Sequence, residues 1–520
     1  MSDQPSESVA PNKKARRWVP ATVVLTWTLL ASLLLTFAWN MWPLLDGDAK
    51  VFVPPILGYA KEGRLVNTVW PLARHYDRTG EGRLVYHGFL YELVVGTLAP
   101  APSYRWIVFT MAVMDALSLA LWAAIFYRLA ARITHPMSWW HLAFLSLSLA
   151  GLATALLGLR GRPESFVIFV LGVAVNLLLS LPGRWHGAIG GLTIGVVATA
   201  HPVAAFLTGS LWSVYISCLY GTRKWIRTML VSALFAILAM AAILCWYPYR
   251  FDEWVKCCMG HYDEAIIKGW WKADAISYWF IASRPPLFGV ICLLALAASV
   301  LLCRSYSRQI ATRFGFWLSA ILFAAASYYF AMYVPARLYN LQAFVPLAYG
   351  LIYAGLISSY SGKKEEYWRL TGAMLAGLVL VASALGLARA TVVFAHYMHH
   401  GMPYVIAQDR IEQIRRRHLE RITVSMGLFT LLEDCRGVSF NDFKEFDPAV
   451  LGNVLILQQA HRTTQIPPAI PGFELVEDHF LRAMPSLFGV KCGNSPLGYD
   501  YAVFFRTNGP DFRRKLNTEL

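Results

Sequence analysis

Long apolar runs separated by short polar connections dominate the chain between residues 20 and 395. Runs of about 18 or more apolar residues are typical of membrane-spanning helices, because backbone polar groups in lipid must be bonded within the segment. The pattern predicts about eleven such helices, at 20–42, 105–130, 139–159, 165–181, 187–200, 203–220, 228–247, 287–303, 314–333, 341–359 and 370–395. His201 and Pro202 separate the fifth from the sixth. Because proline breaks a helix, these two short segments are either two crossings or a re-entrant pair.

Composition supports a membrane protein. Only 15% of the residues are charged and 57% are hydrophobic, whereas a soluble domain has about 25% charged residues. The net charge of +15 would suit a nucleic-acid partner, but most Lys and Arg lie in short clusters between apolar runs. That placement is the positive-inside signal of membrane topology, so we expect no nucleic-acid partner.

The basic clusters predict the orientation of the chain. One side holds the N-terminal tail and the clusters Arg128/Arg132, Arg184, Arg223/Lys224/Arg227, Arg304/Arg308/Arg313 and Lys363/Lys364/Arg369. This side is expected to be cytoplasmic, which requires the interval 187–220 to cross the membrane an even number of times. We therefore predict a multi-pass protein of the cell inner (plasma) membrane, with its N-terminus in the cytoplasm and its C-terminus outside.

Three regions follow from this pattern. Residues 1–19 form a cytoplasmic basic tail, and residues 20–395 form the transmembrane domain, with external loops at 43–104 and 248–286. Residues 396–520 are more polar and contain short strand-like runs at 453–460 and 501–506, which predicts a small extracytoplasmic α/β domain. A basic helix predicted at 411–422 either lies along a membrane surface or presents a solvated face.

Two carboxylates, Asp46 and Asp48, follow directly on the first predicted membrane helix. At a membrane boundary, such carboxylates can act as general base on a sugar hydroxyl or ligate a divalent cation. Alternatively, they cap the amphipathic helix that follows, since Asp is a favoured N-cap residue.

The predicted external turn 160–164 has the sequence Arg-Gly-Arg-Pro-Glu. Two arginines in a short outside connection oppose the positive-inside trend. They either pair with Glu164 or bind an anionic group, for which the planar guanidinium is well suited. Pro163 and Glu164 fit the first turn of the next helix.

Further candidates lie in the membrane and in external loops. Ionisable groups within membrane helices are costly and usually functional; we expect Asp115 to have a buried structural partner and His201 to be a site candidate. Arg337, in an external turn with Tyr339, contacts either lipid headgroups or a lipid-phosphate substrate. His261 and Tyr262 belong to an aromatic loop that either stacks on sugar rings or forms part of the interface belt.

The order of these parts resembles the GT-C-fold glycosyltransferases, which use polyprenyl-phosphate-linked sugars outside the cytoplasm. The resemblance covers about three-quarters of the chain, and it rests on short motifs at Asp46/Asp48, 60–63, 86–91, 161–164 and 337–339. Two features depart from the family pattern. The acidic motif is Asp-Gly-Asp rather than Asp-Glu, and the usual Pro-Pro before Leu-Tyr is absent.

The resemblance implies an inverting transfer of a sugar from a polyprenyl-phosphate donor to a glycan, lipid or protein acceptor. It implies Asp48 as the catalytic carboxylate with Asp46 in support, and a donor phosphate bound by Arg337, Arg160, Arg162 and Tyr339. Candidate substrate-binding residues are His87, Tyr91, Glu164, His201, His261 and Tyr262. No cofactor is assigned, and a divalent cation is left open.

A secondary transporter or lipid flippase is the alternative. The broken pair at 187–220 favours it, because interrupted helices mark substrate sites in transporters. Such a protein is expected to carry a second interrupted pair in an inverted repeat, and the sequence shows no such repeat. A non-catalytic assembly protein is a third reading.

Overall fold

The computed structural model describes residues 15–43, 45, 49–67, 88–133, 139–246, 315–322, 343–360, 366–417, 422–431, 439–440, 454–458, 470, 472–479, 486–487, 490–491 and 501–507. Its longer helices are α1 (Ala15–Trp39), α2 (Ala49–Glu62), α3 (Leu90–Leu98), α4 (Tyr104–Ile133), α5 (Trp139–Leu159), α6 (Pro163–Ser180), α7 (His186–Ala200), α8 (Pro202–Leu219), α9 (Thr222–Trp246), α10 (Val345–Tyr360), α11 (Glu366–His400) and α12 (Pro403–Arg417). Residues 315–322 are also helical.

Seven helices of the described part are long and apolar enough to cross a membrane: α1, α4, α5, α6, α8, α9 and α11. The chain is therefore a helical membrane protein. The total of about eleven crossings stays a prediction, because 287–303 and most of 314–333 lie outside the described residues.

Most predicted helix positions are reproduced within a few residues, and α5 has the predicted bounds. Two helices exceed their predicted lengths the most. The first, α9, begins at Thr222, because the basic residues before its apolar run are helical as well. The second, α11, continues to His400 and passes through the predicted domain boundary at 396, since helical backbone extends beyond its apolar stretch.

The helices α7 and α8 form an antiparallel hairpin with its tip at His201. At the open end, the hydroxyl of Tyr220 lies 3.1 Å from Nδ1 of His186 and donates to the carbonyl of Gly183 at 3.4 Å. Midway along the hairpin, Gly190 faces the ring of Trp212 so closely that a Cβ at 190 would lie 2.0 Å from Cε2. The chain thus enters and leaves the hairpin at the same end, as an even number of crossings requires.

The described basic clusters share one end of the bundle. Arg128, near the end of α4, donates from Nη1 to Oγ of Ser180 at 2.7 Å, and a short 3-10 helix (Gly183–Trp185) follows Ser180. Lys224, at the start of α9, lies 3.9 Å from the ring centre of Tyr220. This grouping agrees with the predicted sidedness, and the assignment of that side to the cytoplasm stays a prediction.

The first and the last long helices of the membrane part are in contact. The ring centroids of Phe37 on α1 and Phe394 on α11 lie 4.7 Å apart. Trp42, just after α1, packs on both rings. These contacts close the bundle around the core that α1, α4, α5, α6 and α11 share.

The C-terminal part contains a five-stranded mixed sheet in the order β2-β1-β3-β7-β4. Its strands are β1 (Ile422–Ser425), β2 (Ser439–Phe440), β3 (Val454–Gln458), β4 (Phe473–His479) and β7 (Tyr501–Arg506), and a separate pair is formed by β5 (Ser486–Leu487) and β6 (Val490–Lys491). β1 is parallel to β2 and β3, whereas β7 is antiparallel to β3 and β4. Strands therefore form at both predicted runs.

The sheet packs against the membrane bundle through α12 and a short 3-10 helix (Met426–Leu431). Phe429 lies edge-on to Tyr104 at the start of α4, with the ring centroids 5.5 Å apart. The guanidinium carbon of Arg105 lies 5.9 Å from the ring centroid of Trp39 and 6.0 Å from that of Tyr404. The buried face of α12 therefore packs on protein. Its predicted range of 411–422 is shifted, because Pro403 suits the first turn of a helix and the β-branched run from Ile422 forms β1.

Candidate functional site

Charged side chains are buried together at the end of the bundle opposite to the basic clusters. Asp115 of α4, Arg160 and Arg162 of the α5–α6 turn, Glu164 of α6 and His201 at the hairpin tip are each at most 2% exposed. Burial of a charge is costly unless the charge is paired. The contacts among these groups therefore decide whether the cluster is stable.

The first pair is formed by Asp115 and Arg160. Nε of Arg160 lies 3.5 Å from Oδ2 of Asp115, and Nη2 donates to the backbone carbonyl of Leu34 at 3.3 Å. The expected buried partner of Asp115 is confirmed as Arg160. Nε of Arg160 faces Asp115, and Nη1 has no hydrogen-bond partner among the described residues, so this guanidinium keeps the N–H groups of Nη1 for a further acceptor.

The second group joins Arg162, Glu164 and His201. Arg162 donates from Nε and Nη2 to the two carboxylate oxygens of Glu164 at 3.3 and 3.2 Å, so the predicted pairing with Glu164 is confirmed for Arg162. Nε2 of His201 lies 3.5 Å from Oε1 of Glu164. Nδ1 of His201 accepts from the backbone N–H of Ala204 at 3.2 Å. Because an accepting ring nitrogen carries no proton, the ring hydrogen lies on Nε2, towards Glu164.

Gly161 brings the turn between α5 and α6 (residues 160–162, the arginine turn) against the segment that follows α1. It has φ of +85°, a conformation that glycine adopts at little cost. A Cβ at this position would lie 3.0 Å from Cβ of Ala49, 3.2 Å from Cγ2 of Val53 and 3.6 Å from Cδ2 of Leu45. Leu45 and Ala49 border the acidic segment 46–48 in the sequence, so the turn touches both neighbours of that segment.

A second close approach joins the start of α3 to the hairpin tip. The backbone N–H of Phe89 donates to the carbonyl of Thr199 at 2.9 Å. A Cβ at Gly88 would lie 2.3 Å from the same carbonyl oxygen. Only glycine therefore fits at residue 88 with this backbone.

Tyr91, on α3, lies within the cluster. Burial, together with the carboxylates of Asp115 and Glu92, raises the pKa of the Tyr91 hydroxyl well above its ordinary value. The hydroxyl is therefore neutral at physiological pH and can act as a hydrogen-bond donor or acceptor.

Glu92, the next residue on α3, is a buried carboxyl group that the sequence did not single out. Burial raises its pKa from 4.5 to about 8, and Oε2 has no hydrogen-bond partner among the described residues. Glu92 is the acidic residue in the first turn of the otherwise apolar α3. An acidic residue within an apolar segment is the sequence signal that could have identified it.

The helices α2, α3, α6 and α8 begin close to this cluster, at Ala49, Leu90, Pro163 and Pro202. A helix N-terminus carries partial positive charge and favours nearby anions. Glu164 lies in the first turn of α6 and contacts the N-cap residue of α8. Two of these helix ends therefore present partial positive charge to its carboxylate.

The predicted site residues divide into two groups. Tyr91, Arg160, Arg162, Glu164 and His201 come together in this cluster, although they lie on three separate stretches of sequence. The remaining candidates lie outside the described residues; they are Asp46, Asp48, His87, His261, Tyr262, Arg337 and Tyr339. Within the described part of the chain, no three His, Cys, Asp or Glu side chains are grouped as metal ligands.

Comparisons of this chain with protein-family models, curated proteins and solved structures return no match.

Proposed function

We propose that the chain is an integral membrane glycosyltransferase that moves a sugar from a polyprenyl-phosphate donor to an extracytoplasmic acceptor with inversion. The observation that supports this most is the packing of Gly161 against Leu45 and Ala49. It sets the arginine turn beside the neighbours of the acidic segment, although more than a hundred residues separate the two motifs. A base and a cationic group at one place are what transfer from a phosphate leaving group requires.

The proposed reaction is a single displacement. The carboxylate of Asp48 takes the proton of an acceptor hydroxyl, and the hydroxyl oxygen forms a bond to the anomeric carbon. The bond between that carbon and the phosphate oxygen breaks, and the lipid phosphate leaves with the electron pair. Cationic side chains stabilise the charge that develops on the phosphate.

The ion pairs distinguish the two arginines of the turn. Both carboxylate oxygens of Glu164 accept from Arg162, so Nε and Nη2 of its guanidinium are engaged. In Arg160, Nε faces Asp115 and Nη2 donates to Leu34, but Nη1 has no acceptor among the described residues. Of the two, Arg160 is therefore the better candidate for an oxyanion, alongside Arg337 from the sequence prediction.

A secondary transporter or lipid flippase is the second candidate, favoured by the hairpin tip. The α7–α8 pair is interrupted at His201, which lies among buried ionisable groups, and such breaks occur at transporter binding sites. At a rise of about 1.5 Å per residue, α7 spans only about 22 Å, less than the roughly 30 Å of a bilayer core.

Purified protein incubated with radiolabelled polyprenyl-phosphate sugars and a membrane-envelope extract tests the proposal. Transfer of label to an acceptor, lost in Asp48→Asn but retained in the exposed-surface variant Glu412→Gln, supports the enzyme. Asn caps a helix about as well as Asp but cannot act as a base, so Asp48→Asn is expected to lower turnover by a factor on the order of a hundred or more. If only Asp46→Asn lowers turnover, the two roles are exchanged. If the radiolabelled lipid-linked sugar crosses the membrane of proteoliposomes and no label reaches an acceptor, the result supports the transporter instead.

A further inference from the structure

One carboxylate, that of Glu164, connects the sequence-distant segments of the candidate site. It is 1% exposed and accepts from Arg162 with both oxygens. One of these oxygens also faces Nε2 of His201 at 3.5 Å. A carboxylate so enclosed is poorly accessible to a substrate hydroxyl.

On the hairpin side, the connection runs through His201. His201 caps α8 through Nδ1 while its other ring nitrogen faces Glu164. Two residues earlier, the carbonyl of Thr199 accepts from Phe89. The position of the hairpin tip therefore determines where α3 begins and, with it, where Tyr91 stands.

On the turn side, the connection runs through Arg162. Its backbone N–H donates to the carbonyl of Leu159 at 3.0 Å, and its own carbonyl accepts from the Ser165 hydroxyl at 2.9 Å. Both the side chain and the backbone of Arg162 are thus held, which fixes the preceding Gly161 against Leu45 and Ala49.

We infer that Glu164 is a positioning residue: it locks the hairpin tip to the arginine turn, and so holds the acidic segment's neighbours and α3 in one arrangement. This revises the substrate-binding role that the sequence suggested for Glu164. Its catalytic consequence rests on the proposed function, whereas the mechanical coupling between Glu164 and His201 does not.

The test is a double-mutant cycle with Glu164→Gln and His201→Asn. The first change keeps the size of the side chain and removes the charge. The second keeps an oxygen that can cap α8 but withdraws the group that faces Glu164. Each variant is assayed in the full-length protein for its melting temperature in detergent and for kcat and KM of sugar transfer, with Glu412→Gln as an exposed control.

Residues in contact are expected to act non-additively. Each single change should therefore lower the melting temperature, and the double variant should fall by clearly less than the two shifts combined. In the transfer assay, each single change is expected to lower kcat at least tenfold while KM stays within about twofold, because a misplaced but intact site binds substrate and reacts slowly.

If the shift in melting temperature of the double variant equals the sum of the two single shifts, Glu164 and His201 are not coupled. If Glu164→Gln raises KM and His201→Asn does not, Glu164 binds substrate and the positioning role is wrong. If the wild-type protein shows no transfer, the proposed function fails, yet the thermal cycle still tests the coupling. Glu164→Asp is a further check, because aspartate keeps the negative charge on a shorter side chain. If the charge holds the hairpin tip, the kcat of Glu164→Asp should lie above that of Glu164→Gln.

Discussion

Arg160, in the turn between α5 and α6, lies with Nε 3.5 Å from the carboxylate of Asp115 on α4, and both side chains are 98% buried. Its Nη2 also donates to the carbonyl of Leu34 on α1. One side chain thus ties the α5–α6 turn to α4 and α1 through charge and hydrogen bonding. Such a pair is costly to bury and costly to break.

The first prediction concerns this pair. Asp115→Asn is expected to destabilise the protein by about 3–5 kcal/mol, because it leaves the buried Arg160 without its counter-charge. The double change Asp115→Leu with Arg160→Met should recover much of the loss, since no charge then remains to be buried. Thermal unfolding in detergent measures both, and the exposed Arg128→Met is the control. A double variant at least as unstable as Asp115→Asn would contradict the pairing.

The second prediction is a pH dependence caused by Glu92. Because burial raises its pKa from 4.5 to about 8, the folded protein holds this proton more tightly than the unfolded chain does. The protonated Glu92 therefore contributes its full share to the stability of the folded protein below about pH 4.5, and this contribution is lost as the pH rises to about 8. Glu92→Gln is therefore expected to gain stability relative to wild type across this interval, by an amount on the order of a few kcal/mol at pH 8.

Melting temperatures of wild type and Glu92→Gln, measured from pH 5 to pH 9, check this expectation. The difference between the two proteins should grow with pH up to about 8 and then level off. A constant difference at all pH values would show that Glu92 has an ordinary pKa. Glu412→Gln, at a position that is 49% exposed, controls for removal of a carboxylate.

The third prediction compares two glycines that share a left-handed backbone. Gly161 and Gly63 have φ of +85° and +68°, so alanine at either position costs roughly 1–2 kcal/mol in backbone strain. Only at Gly161 does the added Cβ meet side chains, those of Ala49 and Val53. We expect Gly161→Ala to lower both the melting temperature and sugar transfer below those of Gly63→Ala, because the segment beside the turn must shift to admit the Cβ. Equal activities in the two variants would remove the support that this contact gives to the enzyme.

The fourth prediction concerns packing inside the hairpin. A Cβ at Gly190 would lie 2.0 Å from Trp212, whereas a Cβ at Gly209 on the facing helix would only reach Ile194 at 3.9 Å. Gly190→Ala is therefore expected to destabilise the protein by about 1–3 kcal/mol, and Gly209→Ala to change it little. Thermal unfolding compares the two. Addition of Trp212→Phe, which withdraws the indole ring, should restore part of the stability of Gly190→Ala.

The fifth prediction is the location of the C-terminus. The positive-inside pattern places it outside the cytoplasm, and the hairpin returns to its starting end, as that pattern requires. Alkaline phosphatase fused after Leu520 is expected to be active, and a green fluorescent protein at the same place to be dark. A bright fusion would overturn the topology and the class of donor with it.

Local chemistry made the helices and the break at His201 predictable. Apolar runs set the bounds of α5, and Pro202 identified the interruption between α7 and α8. The pairing of Arg162 with Glu164 was one of two alternatives that the sequence offered, because the N-cap residue and the first turn of one helix lie close together.

Long-range packing was not predictable in the same way. The partner of Asp115 lies 45 residues away in sequence, and its identity depends on how α4 and α5 cross, which periodicity does not encode. The burial of Glu92 was missed because a single acid in a short amphipathic run ordinarily faces water. The positions of the hairpin tip and of the α5–α6 turn depend on Gly88 and Gly161. Each glycine is needed because of the atoms packed against it, backbone at Gly88 and side chains at Gly161, and the sequence does not show these neighbours.

The contact between Phe37 and Phe394 has a consequence for biosynthesis. About 350 residues separate the two rings, and at about 5–20 residues per second the ribosome needs roughly 20–70 seconds to supply the second after the first. Throughout that interval the inner face of α1 lacks its final neighbour. We therefore expect the newly made chain to depend on lipid or an assembly factor to shield α1 until α11 arrives, and truncations that end before α11 to be cleared by membrane quality control.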